Sequence, residues 1–176
     1  LEDIAIMRAL PNMKVIVPCD MIEAKKATVA VAKIWGPVYL RFAREKTPIF
    51  TTEETPFIPA RAEIFWESRK PQVLVVSCGP ILYNALLAAK ELEEDGISAI
   101  VLNNHTIKPL DEIRIIELAK KCGAVVTVEE HSVIGGLGSA VAEILAKNFP
   151  APMEFVGTKD VFGGSGEPKA LVEKYG

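Results

Sequence analysis

The chain has 176 residues, of which 49% are hydrophobic and 24% are charged, and its 20 Lys and Arg against 23 Asp and Glu give a formal net charge of -3. This composition is that of a folded globular protein and excludes a disordered, collagen-like or disulfide-scaffold chain. A protein with this weak negative charge does not attract nucleic acid or anionic lipid, so we do not expect nucleic acid as a partner. No apolar run reaches the roughly 20 residues of a membrane span, so we do not expect a membrane as a partner either.

The first 43 residues alternate helical and strand patterns. In chain order, the patterns predict a helix over 2–10, a buried strand over 14–18 (KVIVP), a helix that ends at Gly36, and a strand over 38–42 (VYLRF). Asp20 begins the second helix, and Glu23 three residues later has the spacing of a capping box. Because two parallel strands do not hold an independent sheet, this front segment is expected to need partners that the chain does not contain.

Residues 44–60 interrupt the alternation. The stretch 44–48 is charged and ends in proline, residues 51–55 are polar, and Pro56 and Pro59 disfavour both helix and central strand. We therefore predict a domain boundary here, with 1–50 as the incomplete front segment, 51–60 as a linker and 61–176 as a second domain.

From residue 61 onward, strands and helices alternate again. The patterns predict strands over 63–66, 73–78, 98–102, 124–128 and 153–156, helices that end at Gly96, Gly123 and Phe149, and a glycine-rich turn with a short helix over 160–176. Strands joined by helices form right-handed crossovers and a mostly parallel sheet that is covered on both faces. The predicted fold class is α/β, with a doubly wound, mostly parallel sheet in the second domain.

Polar residues at the carboxyl ends of the predicted strands are candidates for a binding or catalytic site, because ligands bind at these ends in open parallel sheets. His105 and His131 both lie at such ends. Glu129 or Glu130 could form an acid/base pair with His131 near neutral pH. The same residues could instead cap the helix that comes next, and the sequence leaves both roles open.

Two further features could bind an anion. The segment 135–140 (GGLGSA) comes after a strand and opens a helix, where free amides attract phosphate, although its spacing is not G-x-G-x-x-G and close helix packing explains the glycines as well. Arg41 and Arg44 flank the end of the second front strand, where a guanidinium could bind a phosphate or carboxylate, or form a surface ion pair. The glycine-rich run 162–168 is interpreted as a flexible loop.

Cysteine use indicates the compartment. Cys19, Cys78 and Cys122 lie at or near the ends of apolar runs, are odd in number, and show neither a CxxC motif nor metal-ligand spacing with histidine. We interpret all three thiols as structural and the compartment as reducing and cytoplasmic.

Five longer stretches resemble one known family. They are LEDIAIMRALPNMKVIVPCD (1–20), GPVYLRFAREKTP (36–48), VEEHSVIGGLGSAVAEILA (128–146), FGGSGEP (162–168) and LVEKYG (171–176). In order and spacing, over essentially the whole chain, they resemble the second half of a transketolase. Two related families are the alternatives, 1-deoxyxylulose-5-phosphate synthase and the β subunits of 2-oxo-acid dehydrogenases. The synthase usually carries a glycine directly after the strand-end arginine, whereas Glu45 follows Arg44 here.

The resemblance implies an enzyme of the pentose phosphate pathway that transfers a two-carbon ketol unit between sugar phosphates, using thiamine diphosphate and a divalent metal such as Mg²⁺, as a homodimer. It implies that residues 1–50 are the last part of the pyrimidine-binding domain and that 61–176 are most of the carboxy-terminal domain. The diphosphate-binding domain and the rest of the pyrimidine-binding domain, with the cofactor and metal ligands, are then missing. We therefore expect a fragment that is inactive alone and binds no cofactor by itself.

For site residues, the resemblance implies one assignment. Arg44 aligns with the family arginine that contacts the substrate phosphate, and Arg41 is its less favoured substitute. The resemblance gives no catalytic role to Glu129, Glu130 or His131, and it implies no catalytic, cofactor-binding or metal-binding residue in this chain. An anion-binding regulatory role for 61–176 and a purely dimer-supporting role are the alternative hypotheses.

Overall fold

The computed structural model describes residues 1–175, which form two sheets and six helices around shared apolar cores. The strands are β1 (Lys14–Ile16), β2 (Val38–Leu40), β3 (Glu63–Glu67), β4 (Val73–Ser77), β5 (Ala99–Asn103), β6 (Thr106–Lys108), β7 (Ala124–Ser132) and β8 (Met153–Thr158). The helices are α1 (Asp3–Ala9), α2 (Met21–Val31), α3 (Leu82–Glu94), α4 (Glu112–Cys122), α5 (Leu137–Asn148) and α6 (Pro168–Tyr175). No helix in residues 1–175 combines the length and hydropathy that crossing a bilayer requires.

The larger sheet has the strand order β3-β5-β4-β7-β8. The strands β5, β4, β7 and β8 run parallel, and β3 pairs antiparallel with β5 at one edge. Neighbouring residues of β4 face opposite sides, because Leu74 and Val76 pack with α4 and α5 while Val75 packs with α3. The predicted α/β fold with a doubly wound, mostly parallel sheet is confirmed.

The smaller sheet has the strand order β2-β1-β6. The prediction that the two front strands need a partner from outside the chain is therefore wrong. β1 pairs in parallel with β2 and antiparallel with β6, so the third strand comes from this chain and not from another molecule. The Val17 amide extends the contact by donating to the His105 carbonyl at 2.7 Å. The sequence did not predict β6 because its three residues are too few to show an alternating pattern.

The front segment is part of the main core. Ile4 from α1 and Val15 from β1 are fully buried in the same apolar cluster as Leu102 and Ile107. Burial of apolar side chains on both sides therefore joins the front segment to the second domain, and the smaller sheet lies beside the carboxyl ends of the larger one.

Local signals placed most element boundaries correctly. The Asp20 side chain accepts from the Glu23 amide at 2.9 Å at the start of α2, and Gly123 ends α4 with a left-handed φ of 88°. Several predicted boundaries shift: α2 ends at Val31 rather than at Gly36, β2 ends at Leu40 rather than at residue 42, β7 continues to Ser132, and α5 begins at Leu137. Gly176, the last residue of the final resemblance motif, lies outside the described residues.

Candidate functional site

A pocket of about 400 Å³ opens at the carboxyl ends of β1, β2 and β4. Its walls are the residues Pro18, Cys19, Asp20, Met21, Ala24, Phe42, Ala43, Glu45, Lys46, Thr47, Ile49 and Pro80. The lining is mainly apolar and includes three charged residues, the buried Asp20 and the residues Glu45 and Lys46 of the loop after β2. Arg44 lies in the same loop, between the lining residues Ala43 and Glu45, so the predicted phosphate ligand is beside the pocket.

Arg44 is almost free of protein contacts. Its side chain is 93% exposed, and its one ion pair in the described part of the chain joins Nη2 to Glu45 Oε1 at 3.2 Å. An exposed ion pair of this kind contributes little, because water competes for both charges. The planar fork of the guanidinium is therefore available to an anionic ligand.

Arg41 is held within the protein. Its side chain is 16% exposed, Nε donates to Asp3 Oδ2 at 2.9 Å, and Nη2 donates to the Glu130 carbonyl at 3.2 Å. Tyr39 also donates its hydroxyl to Asp3 Oδ2 at 2.9 Å. Partial burial acts to raise the pKa of Asp3, but the Arg41 charge and the Tyr39 hydrogen bond outweigh it and hold that pKa below its usual value. Arg41 is thus a structural residue here, which distinguishes it from Arg44.

Beneath the pocket, two carboxylates support the start of α2. Asp20 Oδ2 accepts from the amides of Phe50 and Thr51 at 2.9 and 2.7 Å, so it also holds the end of the 42–49 loop. Glu23 Oε2 accepts from the Cys19 amide at 2.6 Å, and Oε1 accepts from Asn103 Nδ2 at 2.7 Å. Burial raises the pKa of Glu23. Both carboxylates are occupied by donors of the chain itself.

Glu129 and His131 lie side by side, with His131 Nδ1 3.6 Å from Glu129 Oε2, but the atoms of both side chains are used in hydrogen bonds within the protein. Both residues are buried, and Glu129 uses its two carboxylate oxygens to accept from the Leu137 and Gly138 amides at 2.7 and 2.8 Å. Burial raises the pKa of Glu129, against these two hydrogen bonds. Glu130 is exposed and contributes only its backbone carbonyl. The capping role that the sequence left open is therefore the one that Glu129 has.

His131 caps a second helix. Its Nδ1 lies 2.7 Å from the Ser132 carbonyl, which can only accept, so Nδ1 carries a proton. Nε2 accepts from the amides of Ile4 and Ala5 at 3.2 and 3.4 Å, in the first turn of α1. Burial lowers the pKa of His131, which keeps Nε2 an acceptor. Both ring nitrogens are thus used for structure.

At 135–140, where the sequence left open a phosphate site or close helix packing, the structure shows close packing. The amides at the start of α5 that would hold a phosphate already bind the Glu129 carboxylate. A Cβ at Gly136 would overlap Glu129, and one at Gly138 would lie 2.6 Å from Thr127 Oγ1. The glycines therefore permit close packing around an internal carboxylate, which is the alternative explanation that the sequence allowed.

Asp3 and Tyr39, which complete the surroundings of Arg41, were not predicted from the sequence. A usable signal was present for Tyr39, because Tyr39 and Arg41 are two residues apart in the predicted strand over 38–42, which places them on the same face. Nothing local indicates that Asp3, 36 residues before Tyr39, lies opposite that face.

Residues 1–175 do not suit thiamine diphosphate and its metal by themselves. Within that range, no three His, Cys, Asp or Glu side chains lie close enough together to hold a metal ion. The buried carboxylates of Asp20, Glu23 and Glu129 all accept hydrogen bonds from amides of the chain, so none is free for a cofactor nitrogen.

Comparison with known families gives two matches that together cover almost the whole chain. Residues 62–176 match the family described as "Transketolase, C-terminal domain", and residues 1–49 match "Transketolase, pyrimidine binding domain".

Three similar proteins show how much of a relative the chain covers. A "6-deoxy-6-sulfo-D-fructose transketolase subunit" of Clostridium sp. (strain MSTE9) is 43% identical over 176 residues, which are 100% of this chain and 54% of that protein. A "Putative transketolase C-terminal section" of Methanocaldococcus jannaschii is 43% identical over 178 residues, covering 99% and 55%. A solved structure described as "Split gene transketolase, inactive beta4 tetramer" superposes with a TM-score of 0.94 at 46% identity, covering 99% of this chain and 57% of that one. The chain thus spans about half the length of these three relatives.

Proposed function

The chain belongs to the transketolase family, and from this premise we propose that it is the carboxy-terminal portion of a thiamine-diphosphate-dependent transketolase. The complete enzyme would transfer a two-carbon ketol unit between sugar phosphates. Bound thiamine diphosphate with a divalent metal such as Mg²⁺ would supply the carbon–carbon bond chemistry, on ligands outside residues 1–175. The role of this chain is to bind the phosphate of the substrate and to support the pyrimidine-binding fold.

The observation that carries this proposal is the contrast between the two strand-end arginines. Arg44 is exposed beside the pocket with a weak partner, whereas Arg41 is held by Asp3 and by the Glu130 carbonyl. A substrate phosphate can displace Glu45 from Arg44 and form two parallel hydrogen bonds with the guanidinium. The role therefore falls to Arg44, and its fork binds the terminal anion of the sugar.

The test is Arg44→Ala in the enzyme assembled with its amino-terminal portion. Loss of a charge-assisted contact costs about 1.5–3 kcal/mol, so KM for phosphorylated donors should rise about 10- to 100-fold, with cofactor affinity unchanged. Arg69→Ala is the matched control, because Arg69 is an exposed arginine that precedes β4, at the opposite end of the sheet. An unchanged KM for Arg44→Ala would refute the role of Arg44.

The proposed partners are the amino-terminal portion with the remaining cofactor ligands and a second copy of the complete enzyme, as a cytoplasmic homodimer. The structural relative is described as an "inactive beta4 tetramer". We therefore expect no ketol transfer by this chain by itself, and transfer after addition of the amino-terminal portion with thiamine diphosphate and Mg²⁺. Ketol transfer by the purified chain without that portion would contradict the proposal.

The anion on the substrate can be tested separately. The Clostridium relative is named for a sulfonated ketose, and a sulfonate, like a phosphate, presents oxygens to an arginine fork. Kinetics with phosphorylated and sulfonated ketoses would define the preference. In either case Arg44→Ala should raise KM for the anionic donor.

A further inference from the structure

The position of Arg44 is set by contacts that lie outside the pocket, and any role of those contacts in substrate binding rests on the proposed function of Arg44. Within residues 1–175, its side chain forms hydrogen bonds only with Glu45. The location of its guanidinium therefore depends on the backbone of the loop 42–49. That loop is held at its far end by Asp20, which binds the amides of Phe50 and Thr51.

At its near end, the loop begins from β2, which is held to the first turn of α1. Asp3 Oδ2 accepts from Tyr39 Oη and from Arg41 Nε, each at 2.9 Å. The Arg41 amide also donates to the Ile16 carbonyl at 2.9 Å. These contacts fix the direction in which the chain leaves the sheet, three residues before Arg44.

The first turn of α1 is in turn held to the end of β7. His131 Nε2 accepts from the amides of Ile4 and Ala5, and the Ser132 amide donates to the Leu1 carbonyl at 3.0 Å. β7 also contacts Arg41 directly, through the Glu130 carbonyl at 3.2 Å. The end of β2, the first turn of α1 and the end of β7 thus contact one another pairwise.

We propose that Asp3, Arg41 and His131 are positioning residues, which hold the loop of Arg44 in the orientation that binds the substrate anion. Because the three elements form a closed set, none of them can shift without breaking a hydrogen bond to each of the other two. A charged side chain on a loop that is held at both ends gains a defined position in this way, and less ordering of the loop is then needed when the ligand binds.

The first experiment is Asp3→Asn in the enzyme assembled with its amino-terminal portion. Asparagine keeps the size of the side chain but removes the charge that holds Arg41. KM for a phosphorylated ketose should rise about three- to tenfold, while the kinetics with hydroxypyruvate, a ketol donor without a phosphate, should stay unchanged. A general structural defect would instead alter both donors alike, and that result would overturn the proposal.

The second experiment combines Asp3→Asn with Arg44→Ala. If Asp3 acts through Arg44, the double variant should have the same KM as Arg44→Ala alone, because the residue being positioned is already absent. If Arg44→Ala alone raises KM as expected but the double variant shows the sum of both effects on KM, the positioning role is overturned and the proposed function remains intact. If Arg44→Ala leaves the KM unchanged, the proposed function of Arg44 and the positioning role both fail.

Arg41→Lys and Glu67→Gln complete the set of variants. Lysine keeps the charge near Asp3 but cannot reproduce both guanidinium contacts, so it should show the same donor-selective rise in KM. Glu67→Gln breaks an exposed ion pair with Lys121, between β3 and α4, and should change the kinetics with neither donor. If Arg41→Lys changed KM equally for the phosphorylated donor and for hydroxypyruvate, the result would contradict the proposal.

Discussion

The carboxyl ends of β7 and β2 both carry ionisable residues but use them in opposite ways. At the end of β7, Glu129 and His131 are buried, and each of their polar atoms has a partner inside the protein. At the end of β2, Arg44 is exposed and has one weak ion pair. Charge at a strand end therefore does not by itself indicate a ligand site.

The reason for the difference is the position of helix starts. The first turns of α5 and α1 both lie against the end of β7, and their free amides need acceptors. Glu129 and His131 supply these acceptors, so their acceptor atoms are not available to a ligand. A long loop comes after β2 and no helix begins there, so the guanidinium of Arg44 is not required by the backbone.

The largest expected effect tests the buried end. Glu129→Ala removes the acceptor for two buried amides at the start of α5, so it should lower the free energy of unfolding by about 3 kcal/mol. Urea denaturation followed by circular dichroism would measure this loss. If Glu129 were instead a free acid/base residue, its removal would change stability little.

Glu130→Ala is the matched control for that variant. Glu130 is the next residue, is exposed, and contributes only its backbone carbonyl to the structure. Its removal should change the free energy of unfolding by less than about 0.5 kcal/mol. If both variants lost the same free energy of unfolding, the difference in burial between Glu129 and Glu130 would not affect stability.

The second expected effect concerns pH and the end of β5. His105 is fully buried, Nδ1 lies 2.9 Å from Thr106 Oγ1, and the ring stacks on Phe57 at 4.2 Å between centroids. Burial lowers the pKa of His105 from 6.5 to about 4. The unfolded chain thus binds a proton between pH 6.5 and 4 that the folded chain does not bind, so stability falls as the pH falls through that window.

Lowering the pH from 7 to 5 should therefore cost about 2 kcal/mol from His105 alone. The lowered pKa of His131 acts in the same direction, and the raised pKa values of Glu23 and Glu129 act against it. Unfolding of the parent chain and of His105→Gln, measured at several pH values, isolates the His105 contribution as the difference in slope. Identical slopes would show that His105 titrates equally in the folded and unfolded chains.

Sequence reasoning succeeded where the interacting residues are close along the chain. Asp20 was predicted to begin α2, and it caps that helix through a residue three positions later. Asp111 caps α4 at the same spacing. The main strands were also predictable, since β4 and β5 are continuous apolar runs.

The sequence could not predict contacts whose partners are far apart. His131 binds the amide of Ile4, 127 positions away, and no local pattern reports such a pair. The pairing of β6 with β1 joins two three-residue strands from distant parts of the chain, so neither strand length nor periodicity indicates it. The resemblance to transketolases therefore named Arg44, while the folded structure distinguished it from Arg41 by burial and hydrogen bonding.

The smallest expected effect tests the two arginines directly. Arg41→Ala removes a partly buried ion pair with Asp3 and the contact with the Glu130 carbonyl, so it should lower the free energy of unfolding by about 1.5 kcal/mol. Arg44→Ala removes only an exposed ion pair and should change it by less than about 0.5 kcal/mol. Thermal or urea unfolding of both variants beside the parent chain measures the difference. A loss of stability in Arg44→Ala as large as that in Arg41→Ala would mean that the protein uses Arg44 for its own structure, and such an arginine would not be free to bind a substrate anion.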